Sequence, residues 1–172
     1  GGGKRLPTME EIEKDLLKEL RQKQNEIKDI YFELVRFYSE THRQDIAQGY
    51  LQHLLDNANE SGEKASYLLA MGQLMEQIRD YPAAIEFYQK AFALEPADNE
   101  VWYLIHNNLG FSLNVLERYA EGERFCREAI KINPRRHNAY KNLAISQEGL
   151  GDYPNAALNF IEAVKHNAYD RR

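Results

Sequence analysis

The stretch Arg79-Asp80-Tyr81-Pro82-Ala83-Ala84 returns in shortened form as Arg118-Tyr119-Ala120 and again as Asp152-Tyr153-Pro154-Asn155-Ala156. Tyr81, Tyr119 and Tyr153 are 38 and then 34 residues apart. The same two steps relate Ala91, Ala129 and Ala163, then Ala84, Gly122 and Ala156, and then the small residues Gly72, Gly110 and Ala144. Pro96 and Pro134 close the first two units, and Ala168 holds the equivalent place in the third. Several columns keeping one pair of spacings mark an internal repeat. A period of this length belongs to a supersecondary unit that stacks on its neighbours.

The unit itself reads as a helical hairpin. Leu68, Met71, Met75 and Ile78 recur every three to four residues, which predicts a helix over about residues 64–77. A short turn at Arg79-Asp80-Tyr81 leads into a second helix carrying Ala84, Phe87, Tyr88, Ala91 and Leu94, and Pro96 blocks its continuation. Small residues in the middle of both helices let the backbones approach closely. Neither helix can bury its apolar face alone, so the hairpins must stack. Four extra residues between Pro96 and Gly110 amount to about one helical turn. The first helix of the middle unit is therefore expected to be a turn longer, with Trp102 and Tyr103 on the extension.

These columns resemble the tetratricopeptide repeat family. The resemblance rests on Gly72, Ala84, Tyr88, Ala91 and Pro96 in one unit, and on Gly110, Ala129 and Pro134 in the next. Tyr140, Ala156, Phe160 and Ala163 carry it in the last. It covers residues 64–168 and departs at Gly122, Cys126, the insertion and Ala168. It implies an all-α fold, a right-handed superhelix of stacked antiparallel hairpins, with units at about 64–97, 98–135 and 136–168. A weaker hairpin is expected over 29–63, from Tyr31, Leu34, Val35 and Tyr38 followed by Ala47, Leu51 and Leu54.

Before it, Thr8 and Glu11 form a capping-box pattern after Pro7, and Ile12, Leu16, Leu17 and Leu20 make a stripe. An extra N-terminal helix is expected over 8–28, as a cap on the first repeat or as a dimerising helix. Nothing after it breaks the helix before Ile27 and Ile30. Residues 1–7 read as a cloning remnant and a disordered start. The polar helix that ordinarily shields the end of such a stack is missing after the last repeat, so that end is expected either to continue in a longer chain or to pair with another.

Composition narrows the function. Of 172 residues, 43% are hydrophobic, and 22 Lys+Arg against 27 Asp+Glu leave a formal charge of −5. That balance argues against nucleic acid as a partner, since non-specific binding rests on a basic surface. No run approaches a membrane span, and no leader-type apolar core is present, so a cytoplasmic protein without membrane insertion is expected. The single cysteine, Cys126, sits in the column of Tyr88 and Phe160 and reads as a buried, inert thiol. His42, His53, His106, His137 and His166 fall in different units, and His106 shares the column of Leu68 and Tyr140. No catalytic or metal motif emerges, and we expect no enzyme, no cofactor and no metal.

The resemblance places the binding surface on the concave groove lined by the first helix of each hairpin. One turn before the small residue stand Leu69-Ala70, Asn107-Asn108 and Lys141-Asn142. Asn108 and Asn142, one repeat apart, are expected to project into the groove in register. An asparagine offers a donor and an acceptor, and so can pair with the backbone of an extended peptide. Gln73, Gln77, Asn114, Asn138 and Lys141 would keep the groove polar, while Phe111 and Ile145 offer apolar contact. The family's carboxylate clamp for a chaperone tail is not matched: Asn108 fits, but Leu69, Gln73, Asn138 and Asn142 stand where other side chains are needed. Arg124, Arg127, Lys131, Arg135, Arg136 and Lys141 face only Glu128 within their stretch. They form either a solvated convex surface or a site steering an acidic partner. The expected function is a non-catalytic scaffold holding a peptide or protein segment. The alternative is a self-assembly module, a homo-oligomer formed through the N-terminal helix or the uncapped last repeat.

Overall fold

The structure is a computed structural model that describes residues 1–170. Among the described residues it holds eight helices and no strand. They are α1 (Met9–Glu40), α2 (Gln44–Asp56), α3 (Ser61–Gln77), α4 (Tyr81–Ala93), α5 (Asn99–Val115), α6 (Tyr119–Ile132), α7 (His137–Gly149) and α8 (Tyr153–Asp170). The chain divides into two compact units, residues 1–50 and the residues from Leu51 on.

In the first unit, the Thr8 side chain caps α1 by accepting from the Glu11 amide at 3.2 Å. Glu10 and Glu11 complement the positive end of the helix dipole. The helix then runs 32 residues without interruption, through the polar stretch and on to Glu40. It ends in a turn in which His42 has φ +61° and the Arg43 amide reaches back to Tyr38 O at 2.7 Å. Tyr50 of α2 then packs on Tyr38, stacked at 5.9 Å, and on Tyr31 at 5.5 Å.

The second unit repeats one hairpin three times, α3–α4, α5–α6 and α7–α8, and every second helix begins on the repeated tyrosine. Every first helix ends in the same way. Arg79, Glu117 and Gly151 occupy equivalent places and have φ of +62°, +60° and +81°. The next amide in each case, from Asp80, Arg118 or Asp152, bonds back to Met75, Leu113 or Gln147 at 2.8–2.9 Å. This is the left-handed C-terminal turn that favours glycine. Only the third copy has one, so Arg79 and Glu117 tolerate a conformation that costs an L-residue about 1 kcal/mol.

The small columns work as close contacts. A β-carbon on Gly72 would lie 2.3 Å from the Tyr88 ring, and one on Gly110 would lie 2.4 Å from Cys126 Sγ. Two of the four departures from the repeat pattern, Cys126 and Gly122, therefore have physical reasons. Cys126 takes the place of the aromatic ring against Gly110, and Gly122 leaves room for Asn114, whose Oδ1 lies 2.3 Å from where a β-carbon would sit. At 17 residues α5 is one turn longer than the 13-residue α7, as the insertion predicts. α3 also has 17 residues, beginning at Ser61 rather than near Lys64. The short helix is thus α7.

Within this unit α3 packs on α5 and α5 on α7, each hairpin also packing on the next through α4–α5 and α6–α7. No comparable contact joins α4 to α6 or α6 to α8 among the described residues. The first helices therefore form an inner layer and the second helices an outer one.

Candidate functional site

The inner layer is crossed by a chain of buried hydrogen bonds made from the asparagines. Asn142 Nδ2 donates to Asn107 Oδ1 at 2.9 Å, and Asn107 Nδ2 donates to Asn108 Oδ1 at 3.2 Å. Asn114 Nδ2 donates to the Asn142 carbonyl at 2.9 Å, and Ser146 Oγ donates to Asn114 Oδ1 at 2.7 Å. Asn107, Asn114, Asn142 and Ser146 are all buried. The chain extends into the first hairpin, because Asn108 also bonds the Tyr88 hydroxyl. That hydroxyl donates to Glu76 Oε1 at 2.6 Å, and Ser112 Oγ reaches the same oxygen at 3.2 Å. Burial raises the Glu76 carboxyl above its ordinary value, although both hydroxyls pull the other way. The Tyr88 hydroxyl is pushed far up by burial and by the Glu76 charge.

The geometry corrects the expected asparagine pair. Asn142 does not project beside Asn108: it turns into the α5–α7 interface, and its amide is bonded to Asn107. Asn107 and Asn114 are likewise internal. A buried amide must satisfy its donors and acceptors within the protein, and these three do so by bracing one hairpin on the next. Of the remaining expected groove residues, Asn108, Gln73, Phe111, Asn138 and Ile145 are half-buried, while Gln77 and Lys141 are exposed. Gln73, Phe111 and Ile145 stand in one repeat column, and Phe111 meets the Tyr81 ring edge-on at 6.1 Å. Sequence reasoning missed Glu76, Ser112 and Ser146. Glu76 shares the column of Asn114 and Glu148, and that polar column on otherwise apolar helices was the available signal.

Half of the basic run is paired with carboxylates. Arg127 pairs with Glu123 at 2.7 Å and Lys131 with Glu128 at 3.0 Å. Arg136 pairs with Glu100 and lies 4.6 Å over the Tyr103 ring. Glu123 and Glu100 lie outside the counted stretch, so the local excess of charge is not presented as such. Arg124 and Arg135 are exposed. His106 is buried with Nδ1 2.7 Å from the Trp102 carbonyl, and burial lowers its basicity. Cys126 is buried, and burial pushes its thiol up to about 12. Among the described residues no cluster of His, Cys, Asp and Glu could hold a metal, and no helix is long and apolar enough to cross a membrane.

Residues 65–98, which contain α4 and most of α3, match the family described as tetratricopeptide repeat. A stretch of 93 residues, 54% of this chain, is 29% identical to the heat shock protein STI1 of Saccharomyces cerevisiae. The matches take in only 14% to 16% of the length of this and three other curated relatives. Among solved structures, a crystal structure of MamA superposes with a TM-score of 0.67 at 19% identity, covering 90% of this chain and 86% of that one. The second TPR of Spaghetti (RPAP3), solved bound to the HSP90 peptide SRMEEVD, superposes at 0.53 with 22% identity, over 58% of this chain and 89% of that one. One hairpin matches the tetratricopeptide repeat outright, and two more are built on the same columns and the same left-handed turn.

Proposed function

We propose that the protein is a non-catalytic scaffold whose inner face, on α3, α5 and α7, holds an extended segment of a partner protein. The observation that carries this is the column Gln73, Phe111 and Ile145, half-buried along three consecutive hairpins. Asn108, Asn138, Gln77 and Lys141 surround it with hydrogen-bonding groups. The asparagine brace beneath fixes the spacing of the helices, so little ordering remains to oppose binding. The peptide-bound structure of the RPAP3 domain supports the reading by similarity of fold. A second reading, assembly through α1, is favoured by the apolar side chains that α1 exposes.

Peptide display on the intact chain tests the first reading. Selected peptides should bind wild type and lose at least about tenfold affinity to Phe111→Ala with Ile145→Ala, since each truncation removes apolar contact worth about 1 kcal/mol or more. Circular dichroism should report an unchanged fold. Equal affinity for both proteins would remove the inner face from consideration.

A further inference from the structure

α1 overhangs its partner helix. It spans about 48 Å at 1.5 Å per residue against about 20 Å for α2, and its ring contacts with α2 fall at Tyr31 and Tyr38. The same helical face continues toward the N-terminus as Met9, Ile12, Leu16, Leu20 and Ile27, at the helical period. These side chains are 82%, 41%, 60%, 53% and 52% exposed. An apolar stripe of this extent facing water marks an interaction surface.

The charges around the stripe say what fits it. Residues 9–16 carry Glu10, Glu11, Glu13 and Asp15 against Lys14, and residues 17–24 carry Lys18, Arg21 and Lys23 against Glu19. One half is acidic, the other basic, and the stripe mirrors itself at Met9 and Ile27 and at Leu16 and Leu20, with Gln24 opposite Ile12. We propose that this face takes a second copy of itself, antiparallel, a step that rests on reading α1 as an assembly element. About a dyad at Lys18, Met9 of one copy meets Ile27 of the other, Ile12 meets Gln24, Glu13 meets Lys23, and Leu16 meets Leu20, each twice. A parallel pair would set Glu13 against Glu13 and Lys23 against Lys23. Lys23 lies 3.4 Å from Glu19 on its own helix with two-thirds of its side chain exposed, so it is free to turn toward Glu13 of the other copy.

Sedimentation of the intact chain over a wide concentration range is the test. Wild type should dimerise, and Leu16→Glu with Leu20→Glu should be monomeric with unchanged helicity. Glu13→Lys alone should weaken the dimer about tenfold, and adding Lys23→Glu should restore it, because the partner charges are exchanged together. Glu13→Cys mixed with Lys23→Cys should cross-link under oxidation where neither variant does so alone; the native Cys126 is buried and stays silent. A monomeric wild type overturns both the assembly reading and the antiparallel pair. A dimer that survives the Leu16 and Leu20 changes places the interface elsewhere and also overturns both. A dimer that needs those leucines but in which Glu13→Cys cross-links to itself overturns the antiparallel order alone, leaving α1 as the assembly element.

Discussion

Glu76 is an ionisable group through which pH reaches the second unit. Its carboxyl is held above the ordinary value by burial, against the pull of the Tyr88 and Ser112 hydroxyls. The folded state therefore binds the proton more tightly than the unfolded chain does. Stability from this group is fully present below the unfolded value near 4.5 and falls as pH rises through the raised folded value. Glu76→Gln keeps an oxygen to accept both hydroxyl bonds and removes the buried charge. The variant should unfold at a higher temperature than wild type at neutral pH, and the gap should close as pH falls toward 4.5. Thermal melts at several pH values check this. A gap independent of pH would mean that the carboxylate is not what the site resists.

At the scale of helices, the periodic features were legible and the lateral ones were not. Tyr81, Tyr119 and Tyr153 mark the starts of α4, α6 and α8 because the tyrosine recurs with its helix. The left-handed turns were hidden, since Arg79 and Glu117 occupy them without being glycine. The fate of the asparagines was hidden too. Neighbouring positions on a helix differ by about 100°, so Asn142 faces α5 while Lys141, one position before it, faces solvent. Spacing locates a side chain on its own helix but says nothing of what the adjoining helix lays over it. Asn142→Ala checks that placement. It leaves the buried Asn107 oxygen without its 2.9 Å donor, and an orphaned buried polar group costs about 1–3 kcal/mol. Denaturant titration should show a loss of that size. A loss under about 0.5 kcal/mol, typical of surface changes, would mean that the side chain is solvated after all.

Over the whole molecule, a stack in which each hairpin touches only its neighbours distributes stability unevenly. α5 packs against α3, α4, α6 and α7, and it buries Tyr103, Ile105, Leu109 and Leu113 with the braced asparagines. α8 packs on α7, buries Ala156 and Ala163, and exposes Leu158, Ile161 and Val164 at 60%, 51% and 71%. Opening α8 therefore parts one interface, that with α7, while opening α5 parts those with α3, α4, α6 and α7. The overhanging part of α1 is held by its own backbone bonds and by exposed side-chain pairs such as Lys23–Glu19 unless a second copy covers it. Native-state hydrogen exchange should accordingly find the slowest amides in α5, faster ones in α8, and the fastest helical amides in residues 9–27 at low protein concentration. Raising the concentration should slow residues 9–27 selectively and leave the order of α5 and α8 unchanged. Equal protection of α5 and α8 would show instead that the three hairpins open as one body, with stability set by the stack rather than by each helix's neighbours.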